Sequence, residues 1–450
     1  MARAFSSHGA VVAKASHTGR QHGGQGLVAW ALYDWANSPF TTLVITFVFP
    51  AYFGMAVVGD EVEGQALWGY AIGASGLIIA ALSPLLGAIA DAGGRRKPWL
   101  LAFSSLCILA AALLWYIQPA RSFVGWALVL VGIANIGFEF GVVFNNAMLP
   151  DLAPQERIGR WSGWAWGLGY AGGLAALVLT LLGFVQAEMP WLPLDRDRAE
   201  HIRIVGPLVS LWFITFTWPV FVWTPDRPRS GKAADAAVRQ ALASLRATVI
   251  DLPTKGNIAR FLLAHMLYAD ALVAVFAFGG IYAAGIFGMT IAEVIGFGIV
   301  LNIAAGIGAF GFAWVDDWIG SRSTVLLALC GLIATSAAAI LVDSRFWFWI
   351  AGSGLGLFVG PAQAASRSLM ARLAPRGQET EFFGLFALSG KATSFVGPAM
   401  VGMVTAATGS QHFGLASLLI LFIAGAVLLL GVAEPGRARK SERHVVPGPR

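Results

Sequence analysis

Four polar side chains open an otherwise apolar run. In ALYDWANSPFTTLVITFVFPAYF, residues 31–53, Asp34, Asn37, Ser38 and Thr41 recur at i, i+3, i+4 and i+7, which on a helix is one face. A charge at the bilayer centre costs about 3 kcal/mol on the insertion scale, so such a stripe must turn toward protein or water. Either it lines a polar cavity or it belongs to a packing network near the membrane interface. Pro39, within the stripe, removes a helical donor and loosens the backbone just after it. A second set, Asn135, Glu139 and Asn146, also shares one helix face. Glu139 precedes Pro150 by about 16 Å of helix, near mid-bilayer depth. It is the strongest candidate for a carboxylate that takes up a proton or binds a solute.

Other candidates are spread along the chain. Asp270 follows Leu267, Tyr268 and Ala269, repeating the Leu-Tyr-Asp of residues 32–34. Gln363 and Arg367 lie four apart, with Gly352, Gly356 and Gly360 before them at the same step, a pattern that permits close helix contact. Lys391, in FALSGKATSF, is the lysine placed well inside an apolar run; an ammonium there needs a counter-ion, which Glu139, Asp270 or a substrate carboxylate would supply. His265 fits a hydrogen-bonded neighbour better than a proton relay.

Several chemistries are absent from this inventory. The two cysteines, Cys107 and Cys330, both fall in apolar runs, which excludes a disulfide framework and a four-thiolate metal centre. There is no phosphate-cradling Gly-x-x-x-x-Gly-Lys-Ser/Thr segment, and no nucleophile with a base, nor a carboxylate-rich metal cluster, gathers at one membrane face. ATP-driven pumping and intramembrane enzymology are therefore unsupported, and no cofactor or metal is expected.

The elements that must hold these residues are membrane helices. The 450-residue chain is 57% hydrophobic and 12% charged, with mean hydropathy +0.71; soluble domains carry about twice that charge. Apolar runs give twelve spans, near 29–58, 66–90, 98–118, 122–146, 161–186, 205–223, 257–287, 291–314, 323–342, 346–370, 382–408 and 413–433. With the N-terminus inside, the outer loops hold Arg121, Arg196, Arg198, Arg203 and Arg345, and nearly all other basic residues fall on the inner side. That asymmetry predicts both termini in the cytoplasm. It also places the +6 net charge in tails and loops facing lipid headgroups rather than nucleic acid.

The predicted organisation is a polar tail (1–26) with no signal-peptide core, a six-helix half (27–223), a basic cytoplasmic linker (224–256), a second half (257–433) and a basic tail (434–450). The linker reads as helical over 233–248, lying along an anionic membrane face. The halves repeat: DAGGRR (91–96) matches DWIGSR (317–322), and DLAPQERIGRWSG (151–163) matches RLAPRGQETEFFG (372–384). Duplicated halves with a site between them are a common transporter plan.

In the first repeat Gly87 and Asp91 share a helix face, and Asp91 meets Arg95, Arg96 and Lys97 across a turn that Gly93 and Gly94 permit. Gly87, Asp91, Gly94, Arg95 and Arg96 resemble the loop signature of the major facilitator superfamily, and Asp317, Gly320 and Arg322 resemble its second copy, where Ala313 and Ser321 depart from the pattern. LYDWANSPF, LPDLAP and the run from Ser366 to Pro398 resemble the vacuole-effluxer-like branch, named for a fungal autophagy-related exporter of amino acids. The resemblance covers Ala29 to Leu430. It implies an all-α membrane protein with the major facilitator fold, twelve transmembrane helices in two pseudo-symmetric six-helix halves. The first, fourth, seventh and tenth would line a central cavity where Asp34, Asn37, Thr41, Asn135, Glu139, Asp270, Gln363 and Arg367 meet, with Lys391 as partner.

The expected function is secondary active transport of a small organic solute by alternating access, with proton-coupled export of amino acids as the specific form. The setting would be a bacterial cytoplasmic membrane and the working unit a monomer. A sensor or assembly factor that kept the fold and lost transport is the alternative.

Overall fold

The computed structural model describes residues 24–185, 191–231, 234–252 and 255–434; the two predicted tails fall almost wholly outside these. Among the described residues ten helices are long and apolar enough to cross a bilayer. Six lie in the first half: α1 (Gly24–Val58), α2 (Glu61–Gly93), α3 (Lys97–Tyr116), α4 (Arg121–Leu152), α5 (Gln155–Val185) and α6 (Glu200–Trp223). The linker forms α7 (Ala234–Asp251). The second half contains α8 (Gly256–Phe287), α9 (Ile291–Ile319), α10 (Ser321–Leu341), α11 (Arg345–Leu373), the pair α12 (Glu379–Lys391) and α13 (Val396–Thr408), and α14 (Gln411–Leu430).

Two further crossings fall outside these ten, one for its charge and one because it is broken into two short helices. α11 contains Arg345, Arg367 and Arg372. The predicted span 382–408 is one crossing broken into α12 and α13, with residues 392–395 in turn conformation directly after Lys391. With these two the halves reach six crossings each.

Local chemistry explains the ends. Asp60 caps α2, accepting from the Glu63 amide at 2.8 Å, while Glu61 and Glu63 sit favourably in its first turn. Gly94 ends α2 at φ 89°, where any side chain would be strained and a Cβ would meet the Pro228 carbonyl. After Pro39 the backbone of α1 widens into a π-helical stretch, Phe40–Phe47, the consequence expected of a proline inside the run.

We call the side bearing residues 91–97, 151–160 and 372–379 the basic face. The halves meet near it along two seams, α2 against α12 and α5 against α9. Glycines allow backbone to touch backbone: a Cβ on Gly87 would lie 2.9 Å from the Glu381 Cα, and one on Gly384 would lie 2.7 Å from the Pro84 Cα. On the second seam a Cβ on Gly163 would lie 2.6 Å from the Ala309 carbonyl. α7 docks on α2 and buries Ala237, Ala241 and Thr248. The linker is thus partly packed on protein rather than lying free along a membrane, because its small residues fit the helix beside it.

Within the second half, Gly356 and Gly360 bring α11 onto α9, a Cβ on Gly356 falling 2.6 Å from the Leu301 carbonyl. That is the close contact their four-residue spacing predicts.

Candidate functional site

Between the halves lies a cavity of about 860 Å³. Its lining runs from Asp34, Asn146 and Arg367 toward the opposite face, where Tyr282, Val294 and Phe348 border it. The whole α1 stripe, Asp34, Asn37, Ser38 and Thr41, faces this space, as do Glu139, Gln363, Arg367 and Lys391. The helical spacing put those α1 residues on one face, and the packing of the halves makes that face a wall.

Two ion pairs cross the cavity from half to half. At its floor Arg367 Nη1 lies 2.7 Å from Asp34 Oδ2. The guanidinium also donates to Asn146 Oδ1 at 3.1 Å, to the Ser162 carbonyl at 2.6 Å and to Ser162 Oγ at 2.9 Å. Trp30 and Trp166 lie against it at 5.0 and 5.6 Å. Nearly every polar proton of Arg367 has a partner, which such a buried charge requires. The second pair, Lys391 Nζ to Glu139 Oε1, spans 2.7 Å. It is wetter: the side chains are 35% and 19% exposed, so an incoming solute can reach both charges. Tyr170 adds a neutral bridge, donating to Gln363 at 2.8 Å.

Two candidates lie elsewhere. Asn135 donates to Ser75 Oγ at 2.8 Å and is absent from the lining; it ties α4 to α2, because the face it shares with Glu139 is wider than the cavity wall. Asp270 is also absent from the lining and is 1% exposed. One position after Ala269, which does line the cavity, helical rotation carries it onto another face. The expected convergence of Asp34, Glu139 and Asp270 does not occur. His265, which also lines the cavity, hydrogen-bonds through Nδ1 with Ser389 Oγ at 2.7 Å and stacks on Phe386.

The basic face is closed by a denser network. Arg96, 2% exposed, reaches Ala147 O at 2.6 Å, Asp151 at 2.8 Å, Thr380 Oγ1 at 2.8 Å, Glu379 at 3.0 Å and Asp91 at 3.2 Å. Asp91 accepts from the Thr380 hydroxyl at 2.7 Å and the Glu381 amide at 2.9 Å. Its charge therefore sits at the positive N-terminal end of α12, in the opposite half. Arg227, from the linker, bridges Asp151 and Glu379 at 2.8 and 2.9 Å. Burial alone would raise the Glu379 carboxyl, but the Arg227 hydrogen bond and the charges of Arg96 and Arg227 leave it below the usual range.

The second seam repeats this in outline. Arg160 pairs with Asp317 at 3.2 Å across the halves, and its amide donates to the same carboxylate at 3.1 Å. Buried Asp316 accepts from Ser321 at 2.6 Å and from Ser368.

Not every loop residue takes part in closure. Arg95 is exposed, and no ion pair is formed by it among the described residues. Gly320 terminates α9 at φ 91°. Arg322 donates to the carbonyls of Leu429 and Leu430 at 3.2 and 2.5 Å; it secures the end of α14 inside its own half, as a cation at a helix C-terminus does, and joins nothing across the halves. Sequence reasoning missed Arg227, Glu379, Thr380 and Asp316. The RLAP repeat runs through Glu379 and Thr380, and DWIGSR begins beside Asp316, but partners this distant in sequence carry no local signal.

The profile described as "Vacuole effluxer Atg22 like" matches residues 54–442. The chain belongs to that family. The membership makes it a multi-pass major facilitator superfamily transporter and not an enzyme. An uncharacterized MFS-type transporter of Bacillus subtilis (strain 168), YxiO, is 27% identical over 90% of this chain and 94% of its own length. Autophagy-related protein 22 of Coccidioides immitis (strain RS) is 25% identical over 87% and 76%. Among solved structures, the human organic anion transporter MFSD10 superposes with a TM-score of 0.69 at 15% identity, covering 90% of this chain and 99% of that one. At that identity the likeness speaks for the fold. The Atg22-like family thus supplies the architecture, and the cavity supplies the chemistry.

Proposed function

We propose that this transporter exports amino acids or similar small zwitterionic metabolites by alternating access, driven by protons, with its basic face in the cytoplasm of a bacterial cell and as a monomer. The observation that carries the reading is the Glu139–Lys391 pair, which joins the halves within the cavity and stays open to it. Protonation of Glu139 would free the Lys391 ammonium to take a substrate carboxylate, so proton and substrate would enter one exchange of partners. A zwitterion suits the site because each cation there faces a carboxylate. Arg367, held by Asp34, Asn146 and Ser162, would anchor the floor.

In the arrangement described, the basic face is sealed and the cavity borders the opposite face. Export then requires the Asp91, Arg96 and Glu379 contacts to break and re-form once per cycle. Placing the basic face inside accords with the excess of lysine and arginine on that side.

The test is uptake of a panel of labelled amino acids into proteoliposomes with and without a pH gradient. Gradient-dependent flux for at least one member, abolished by Glu139→Gln and by Lys391→Ala in protein that still folds, is the expected result. Flux that ignores the gradient, or survives both substitutions, refutes it.

A further inference from the structure

We propose that the break between α12 and α13 forms, with α8, a sodium site behind the wall of the transport cavity, built from the Asp270 carboxylate, the Thr393 hydroxyl and main-chain carbonyls freed at the break. It goes beyond proton exchange at Glu139 and uses different residues.

The first observation is an unsatisfied charge. Asp270 is 1% exposed, its Oδ1 has no hydrogen-bond partner, and no salt bridge reaches it among the described residues. The cation nearest in sequence to the break, Lys391, is held by Glu139 at 2.7 Å. A carboxylate in apolar surroundings must be neutralised by a bound cation or a proton.

The second observation is a set of spare oxygens. The buried Thr393 hydroxyl is the side-chain partner of the Asp270 carboxylate, and it meets no other polar group among the described residues. At the break the Ser394 amide donates to the Lys391 carbonyl and the Val396 amide to the Thr393 carbonyl, at 3.4 and 2.7 Å, each three residues back. The Gly390 and Ala392 carbonyls thereby lose the donors that a continuous helix would give them. Gly397 brings α13 against the Asp270 backbone: a Cβ there would lie 3.0 Å from the Asp270 carbonyl carbon.

A proton would satisfy the carboxylate and needs no further ligands. The hydroxyl and the freed carbonyls are surplus to a proton but suit a hard cation, and unwound helix carbonyls beside a carboxylate are a known way for membrane transporters to hold sodium. One negative charge and neutral oxygens match a monovalent ion. Bound there, sodium would fasten α13 to α8, two residues from Lys391, and so bias the ion pair in the cavity.

The experiment uses the full-length protein in detergent at mildly alkaline pH, measuring binding of radiolabelled sodium and thermal unfolding in sodium chloride against potassium and choline chloride of equal ionic strength. Saturable sodium binding with sodium-specific stabilisation is expected. Asp270→Asn should abolish both, Thr393→Ala should weaken apparent affinity about tenfold, and Thr393→Ser should retain it. If Asp270→Asn does not fold, the alanine and serine variants decide. Absence of saturable binding, equal stabilisation by all three salts, stabilisation reproduced by acid without sodium, or affinity unchanged in Thr393→Ala overturns the proposal. No substrate enters the measurement, so a failure here leaves the transport reading untouched, and the converse holds.

Discussion

Replacing Asp91 by asparagine preserves shape and removes one charge from the seal. In the closed arrangement that charge accepts from the Thr380 hydroxyl and the Glu381 amide at 2.7 and 2.9 Å and pairs with Arg96 at 3.2 Å. Two of these three partners belong to the opposite half, so opening the basic face breaks them while the pair to Arg96 can persist. Hydrogen bonds to a charged group contribute about 1.5–3 kcal/mol each against about 1 for neutral ones, and a carboxylate at a helix N-terminus adds about 0.5 kcal/mol. Burial of the carboxylate offsets part of that gain, so loss of the charge should disfavour closure by about 1–2 kcal/mol, or roughly 5- to 30-fold in the opening equilibrium. Spin labels on cysteines introduced at Arg95 and Arg376, both exposed and one in each half, report that distance by pulsed electron resonance once Cys107 and Cys330 have been replaced. The distribution should shift toward longer distances in Asp91→Asn. An unchanged distribution in folded, monodisperse protein would refute the view that this charge at the α12 terminus holds the face shut.

The same labels test the acid response. Glu379 lies below the usual range in the closed state, so its contribution to closure is present above the ordinary glutamate value of about 4.3 and is lost as pH falls through the depressed one; the difference in closed population between the unmodified protein and Glu379→Gln should vanish only in that acid window, and a difference that vanishes already near neutrality would contradict it. At the cavity floor, Asp34→Ala strands the Arg367 guanidinium amid Trp30, Trp166 and Ser162. Stranding one member of a buried pair costs about 3–5 kcal/mol, which scanning calorimetry in detergent should register as a clear loss of thermal stability, whereas a loss under 1 kcal/mol would mean water already reaches the site.

Much of this protein is written in local pattern. Apolar run length fixes helix number to within the charged crossing and the broken one, because a bilayer demands about 20 apolar residues per span. The cost of charge in lipid then told which side chains must face inward: Asp34, Glu139, Arg367 and Lys391 all do. Pro39 announced the widened backbone after it, and the DAGGRR turn announced a loop whose arginine would seek carboxylates.

Partner choice was decided by the fold. Lys391 had three possible counter-ions by composition, and only the approach of α12 to α4 selects Glu139. Asp270 and Asn135 satisfied the same sequence rule as Glu139 yet lie off the cavity, since the rule says that a polar group avoids lipid and is silent on whether it meets a cavity, a neighbouring helix or an ion. Arg96 and Glu379 stand far apart in the chain, and the glycine-lined seam between α2 and α12 brings them together. Such pairings depend on rigid-body packing of two halves, a property of the assembled helices that no single helix encodes.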